Sequence, residues 1–149
     1  MVVIHAFQML CPGCVYHGLP QATAIHKNFS REEVQVIGLH TVFEHHEVMS
    51  EAALAAFIQE YRITFPVAVD LPSAVPGTPK TMSRYAMQGT PTLIIIDRNG
   101  LLRLNYFGRM SDMKVGGIIG RLLEEATPPD KSLGVEPESH NRPIARCRL

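Results

Sequence analysis

The sequence contains no tryptophan, only three cysteines and no excess charge of either sign. Three cysteines are too few, and odd in number, for a small secreted scaffold held together by disulfides. The 14 acidic and 14 basic residues balance, so no bulk field draws the chain to nucleic acid or to an anionic membrane. No apolar run reaches the roughly 18–20 residues that a membrane span needs. What remains is a chain of 149 residues, long enough for one domain with its own hydrophobic core.

The first ten residues, MVVIHAFQML, are apolar but lack the basic start and the small-residue cleavage site of a signal peptide. We therefore interpret them as the first strand. The chain as written predicts a cytoplasmic protein, and a periplasmic or extracytoplasmic location would follow if a signal had been removed.

Hydrophobic periodicity predicts the elements that follow. Leu54, Phe57, Ile58 and Tyr61 are spaced as one face of an amphipathic helix, which we expect to be core. Asn99-Gly100, between two strand-like runs, is a strong hairpin signal. Strands are predicted at 2–7, 34–40, 65–70 and in the runs TLIIID and LLRLNYF, and helices at 12–29 with a kink at Pro20, after an N-cap at Ser50, at 80–87 and at 111–126.

This order of elements predicts an α/β fold, a mixed central sheet with helices on both faces. We expect one domain over residues 1–126. Residues 127–149 are rich in proline and mixed in charge, which predicts an extended or mobile tail.

Cys11-Pro12-Gly13-Cys14 follows the first predicted strand and opens the first predicted helix. A redox cysteine needs a lowered pKa, and unpaired N–H groups at the start of a helix favour its thiolate. The three-residue spacing brings the second sulfur within bonding reach. Pro12 fits the first helical turn, where its missing N–H is not needed, and the N–H groups of Gly13 and Cys14 can point at the Cys11 sulfur.

The run AFQMLCPGC, followed far downstream by QGTPTLIIID, resembles the thioredoxin superfamily. The segment between them looks like the TlpA/ResA and AhpC/TSA-related branch, and the resemblance extends over about 2–125. It implies a thioredoxin-like fold and a thiol-disulfide oxidoreductase that exchanges or reduces protein disulfides. Its partners would be protein disulfide substrates and a recycling dithiol reductase, without a cofactor or a metal. The oligomeric state is left open.

By this resemblance Cys11 is the nucleophile and Cys14 resolves the mixed disulfide. Substrate binding falls to Pro12, Gly13, Thr90 and Pro91, with Pro91 as the cis-proline of the family, since an X–Pro bond is the one peptide bond where cis costs little. The sequence departs from the family pattern in one place. Leu10 stands where relatives have an aromatic residue just before the first cysteine, which puts the substrate contacts in doubt more than the exchange chemistry.

His5 lies six residues before Cys11, where relatives carry a buried acid or polar residue that moves protons for the resolving thiol. Histidine can do this near neutral pH, so His5 is a candidate proton relay. The alternative is a core histidine bonded to the backbone. His17 leaves a different choice open. It could lower the pKa of a nearby thiol, or it could simply be a surface histidine.

Two other classes of function stay open. A thiol peroxidase of the AhpC/TSA type would need an activating Pro and Thr upstream of its cysteine, and HAFQML supplies neither. A metal-handling thioredoxin-like protein could use the two thiolates for a soft ion, but structural zinc prefers four ligands. Cys147 and the histidines at 40, 45 and 46 show no matching spacing, so a stray tail cysteine and ordinary loop histidines are the simpler interpretation.

Overall fold

The computed structural model describes residues 1–74 and 77–125. Its strands are β1 (Val2–Phe7), β2 (Gln35–His40), β3 (Val67–Val69), β4 (Thr92–Ile96) and β5 (Leu102–Phe107). They form one sheet in the order β3-β2-β1-β4-β5. The first three strands run parallel, whereas β4 is antiparallel to β1 and β5 is antiparallel to β4.

The α-helices are α1 (Leu19–Asn28), α2 (Glu51–Glu60), α3 (Lys80–Arg84) and α4 (Asp112–Glu124). They cover the two faces of the sheet unequally. A hydrophobic cluster on one face joins β1 and β4 to α1, α2 and α4, and a smaller cluster on the other face contains Met82 of α3. Successive strand residues alternate between these clusters, as Ile94 and Ile95 do, because side chains along a strand point to opposite faces.

The first helical segment is irregular where it passes the Cys11-Pro12-Gly13-Cys14 motif. Helical backbone begins at Pro12, widens into a π turn over Cys14–Gly18 and continues as α1. Pro20 lies in the first turn of α1, and its ring and missing N–H are incompatible with regular helix bonding to the preceding turn. The distortion predicted at Pro20 is thus taken up by the π turn just before it.

The segment at α2 matches its prediction in position but not in burial. Ser50 caps the helix by accepting a hydrogen bond from the Ala53 N–H at 3.2 Å. Of the four residues expected to form the core face, only Leu54 is buried, while Tyr61 is 54% exposed. Phe57 and Ile58 are partly buried against the core, but Tyr61 is not part of it. The prediction for Tyr61 was wrong although its N–H still bonds to the Phe57 carbonyl at 2.9 Å, because its ring stacks on Phe57 and not on the sheet.

The predicted hairpin between β4 and β5 is confirmed. Gly100 has φ +76°, a left-handed conformation that glycine adopts without steric cost. The Asp97 carboxylate accepts hydrogen bonds from the N–H groups of Asn99 and Leu101 at 2.8 and 3.0 Å. Arg103 then bonds both Asp97 and Glu125, which joins the hairpin to the end of α4.

Two predicted elements are shorter than expected. The third strand covers Val67–Val69 instead of 65–70, since it pairs only with β2 at the sheet edge. The third helix ends at Arg84 instead of 87, because Ala86, two residues later, has a positive φ. No helix in the described ranges is long and apolar enough to cross a membrane. The predicted tail at 127–149 lies outside the described residues.

Candidate active site

The two cysteines of the motif occupy different environments one turn apart. Strand β1 ends at Phe7, and a turn closed by the Cys11 N–H and the Gln8 carbonyl (3.2 Å) leads into the helix. Cys11 is half-buried, whereas Cys14 is completely buried. Both are free thiols. Solvent thus reaches the Cys11 thiol but not the Cys14 thiol.

The Cys11 sulfur has one donor and one acceptor around it. The Cys14 backbone N–H donates to Sγ at 3.3 Å, and the Cys11 thiol lies 3.5 Å from the Thr90 carbonyl oxygen, to which it donates. An N–H group aimed at sulfur from the first turn of a helix favours the thiolate. The Thr90 carbonyl favours the protonated thiol.

Cys14 is held in its neutral form. Burial raises the pKa of the Cys14 thiol to about 12, and a hydrogen bond with the Cys11 side chain acts in the same direction. The apolar surroundings disfavour the thiolate because they cannot solvate a negative charge. At neutral pH Cys14 is thus a thiol.

Pro91 packs against the motif from a distant part of the chain. The Thr90–Pro91 peptide bond is cis. A β-carbon at Gly13 would lie 3.3 Å from Pro91 Cδ, so the glycine between the cysteines allows the proline to approach closely. The Pro91 carbonyl accepts a hydrogen bond from the Gly108 N–H at 2.8 Å, which fixes the loop after β5 beside it. Pro12 is exposed.

His5 lies beneath the π turn. It is 2% exposed, and burial lowers its pKa to about 4, so it is neutral near pH 7. Its Nε2 has no hydrogen-bond partner in the described part of the chain. A β-carbon at Gly18 would lie 2.1 Å from that nitrogen. The expectation of a backbone-bonded histidine is therefore not met at Nε2.

The other histidines differ in burial and surroundings. His17 is exposed and lines a cavity with His5 and Pro91. His40 is buried against Phe7, with ring centroids 5.4 Å apart, while His45 and His46 are exposed. Within residues 1–74 and 77–125, no three His, Cys, Asp or Glu side chains are grouped as a metal site would need. Cys147 lies outside the described residues.

Three neighbours of the site were missed in the sequence. Tyr16 is 75% exposed and, with Leu10 at 58%, places apolar surface on either side of the motif. Gly18 and Arg109 border the cavity next to Pro91. A glycine inside a helix is a weak signal of close packing, because it costs about 1 kcal/mol relative to alanine. Arg109 carries no such signal, since only the fold brings the loop after β5 to this position.

Comparison with known proteins places this geometry among thiol-disulfide proteins. Residues 1–105 match the AhpC/TSA family. A thiol-disulfide isomerase from Corynebacterium glutamicum is 52% identical over 84% of this chain and 81% of that chain, with a TM-score of 0.82. A crystal structure of a thioredoxin-like superfamily protein is 53% identical over 85% of this chain and 82% of that chain, also with a TM-score of 0.82.

More distant structures share the fold. StoA from Bacillus subtilis is 19% identical over 78% of this chain and 79% of that chain, with a TM-score of 0.62. No protein of curated function matches the sequence significantly.

Proposed function

The chain belongs to the AhpC/TSA family of thioredoxin-like proteins, and from this membership we propose that it reduces or exchanges protein disulfides through Cys11 and Cys14. The observation that carries the proposal is the pairing of a reachable Cys11 with a buried Cys14, whose N–H donates to the Cys11 sulfur at 3.3 Å. Disulfide exchange proceeds by attack of a thiolate through a mixed disulfide, and a second thiol one turn away can then release the substrate.

In the first step the Cys11 thiolate attacks one sulfur of the substrate disulfide. A bond forms between Cys11 Sγ and that sulfur, and the other substrate sulfur leaves as a thiolate that takes up a proton. The N–H of Cys14 stabilises the Cys11 thiolate before the attack. Pro12, Gly13, Thr90 and Pro91 form the surface on which the substrate backbone lies.

In the second step Cys14 attacks the Cys11 sulfur of the mixed disulfide. The Cys11–Cys14 disulfide forms and the second substrate thiolate leaves, so the substrate gains two electrons and the protein loses two. Because the pKa of Cys14 is about 12, its proton must depart as the new S–S bond forms. The departing substrate thiolate takes up this proton; His5, whose pKa burial lowers to about 4, is too weak a base to hold it. A dithiol reductase would then return the protein to its starting state.

Turnover assays with matched variants test this proposal. The protein should reduce insulin disulfides with dithiothreitol as electron source, and Cys11→Ser should abolish the reduction. Cys14→Ser should accumulate a mixed disulfide between Cys11 and insulin, visible as a mass adduct that dithiothreitol removes.

Peroxide consumption, measured in the same preparations, tests the alternative that the protein is a thiol peroxidase. Turnover of peroxide together with an inert response to insulin would contradict the proposal. So would full insulin reduction by Cys11→Ser. Stoichiometric metal in the purified protein would instead favour metal handling.

A further inference from the structure

A cavity of about 160 Å³ lies beside Pro91, between the helix that carries Cys14 and the loop that joins β5 to α4. Its volume equals that of roughly five water molecules, which is room for a carboxylate with a short aliphatic stem. The polar side chains around it are His5, His17, Gln21, Arg109 and Asp112, together with the phenol of Tyr16.

Of the two charged side chains on the cavity wall, Arg109 and Asp112, the arginine is the one without a partner in the described residues. Arg109 is exposed, and it forms no ion pair with any acid in the described part of the chain, where the salt bridges all involve Arg103. The acid on the wall, Asp112, accepts a hydrogen bond from Gln21 Nε2 at 2.6 Å and lies in the first turn of α4. The positive end of that helix already stabilises the Asp112 carboxylate, so the guanidinium of Arg109 stays available.

His5 forms part of the cavity wall but does not supply a contact to its contents. It is 2% exposed, and its Nε2 is closed off from solvent because that edge of the ring lies against Gly18. An anion in the cavity therefore meets Arg109 and not His5 Nε2.

Pro91 connects this cavity to the cysteines. It contacts Gly13 between Cys11 and Cys14, and it also forms part of the cavity wall. Thr90, the residue before it, lies against the Cys11 sulfur through its carbonyl. A substrate whose disulfide reaches Cys11 therefore has neighbouring groups within a residue or two of the cavity.

We propose that the cavity is a specificity subsite that binds a carboxylate of the disulfide substrate next to its reacting cysteine, with Arg109 as the main charged contact. This inference rests on the proposed function, because it names a substrate preference of the same site. The carboxylate has two sources of the same chemistry, an acidic side chain beside the cysteine of a polypeptide or the carboxylate of a small thiol.

The test compares disulfides that differ only in this charge. One pair consists of short peptides dimerised through a single cysteine, with Glu or Gln as its neighbour. The other pair is oxidised glutathione and the same compound with its carboxylates esterified. We expect the wild type to prefer the charged member by about fivefold in kcat/KM, the order expected of one partly exposed ion pair, and added salt to weaken the preference.

Two arginine variants make the test specific. Arg109→Gln should lose the preference, whereas Arg98→Gln, which removes the same charge from the exposed hairpin, should retain it. A preference seen only with peptides assigns the subsite to acidic side chains, and one seen only with glutathione assigns it to small thiols. Equal rates for both members of each pair in the wild type, or a preference that persists in Arg109→Gln, would overturn the subsite. The proposed function would survive that outcome if the uncharged peptide is still reduced and Cys11→Ser is inactive.

Discussion

The imidazole of His5 and the backbone of Gly18 occupy adjoining space so closely that a β-carbon on Gly18 would lie 2.1 Å from His5 Nε2. Real β-carbons do not approach another atom that closely. Gly18 has ordinary helical dihedral angles, φ −66° and ψ −50°, so the need for glycine here is spatial and not conformational. The turn that contains Cys14 therefore packs directly against His5.

Replacing Gly18 by alanine should destabilise the protein by about 1–3 kcal/mol, the usual cost of overpacking a buried position. Gly117→Ala is the matched control, because a β-carbon there meets open space. That variant should be neutral or stabilised by up to about 1 kcal/mol, since alanine is the better helix former. Chemical denaturation of both variants measures the difference. The double variant His5→Ala/Gly18→Ala should recover part of the loss, and equal stabilities of the two single glycine variants would refute the contact.

His5 should make stability depend on pH in the acidic range. Its pKa is about 4 in the folded protein and near 6.5 when unfolded. At pH values between these two pKa values, the unfolded chain therefore binds a proton that the folded chain does not bind. Stability from this group is complete above about pH 6.5 and is lost as the pH falls towards 4, by roughly 3 kcal/mol in total.

The variant His5→Asn should lack this loss. Burial also lowers the pKa values of His26 and His40, but both proteins retain these residues, so their contribution cancels in the comparison. Urea midpoints taken from pH 7.5 to 4 would show the wild type declining more steeply than the variant. Parallel curves would mean that His5 becomes protonated without unfolding.

The two active-site thiols should differ sharply in reactivity. With a pKa of about 12, only about one Cys14 in ten thousand is a thiolate at pH 8, and its side chain is buried as well. With Cys147 replaced by serine, iodoacetamide at pH 8 should label Cys11 alone, and label Cys14 only in denaturant. Mass spectrometry of digested samples would distinguish the two sites. Similar labelling rates for both in the folded protein would contradict this assignment.

Asp70 should be a main support of helix α3. Its carboxylate accepts hydrogen bonds from the N–H groups of Thr81 and Met82 at 2.8 and 3.0 Å, and from the Thr41 hydroxyl at 3.0 Å. Asp70→Ala leaves these donors unpaired and should cost about 2–3 kcal/mol in the free energy of unfolding. Asp112→Ala is the comparison, because that carboxylate is exposed, and it should cost less. A loss at Asp70 no greater than at Asp112 would show that α3 needs no distant cap.

The family and most of the elements could be predicted from local sequence. A buried strand before Cys11, three-residue spacing to Cys14 and the distant Thr90-Pro91 pair were enough to indicate the thioredoxin superfamily, which the comparisons confirm. The mixed sheet was predicted from the order of the strands and helices along the chain. The Asn99-Gly100 hairpin was predicted from two neighbouring residues, and such preferences act before any tertiary contact forms.

Burial was predicted less well than element position. The spacing of Leu54 and Tyr61 predicted one core face, yet Tyr61 is exposed. Periodicity gives the direction of a side chain along an ideal helix, but not where the helix ends or how much of the neighbouring sheet lies beneath it. The end of α3 at Arg84 is a similar case, since residue spacing gave no sign of the positive φ at Ala86 that follows it.

The order of the elements, and the position of Cys11 and Cys14 at the start of a helix, could be read from local residue patterns, because helix, strand and turn preferences depend on nearby residues. Long-range packing is what buries Cys14, puts His5 against Gly18, brings the Thr90 carbonyl to the Cys11 sulfur and places Arg109 beside Pro91. These pairs are separated by 13 to 79 residues along the chain, as His5 and Gly18 or Cys11 and Thr90 show. Such contacts are set by how β1, β4 and β5 align in the sheet, and that alignment results from burying both faces at once.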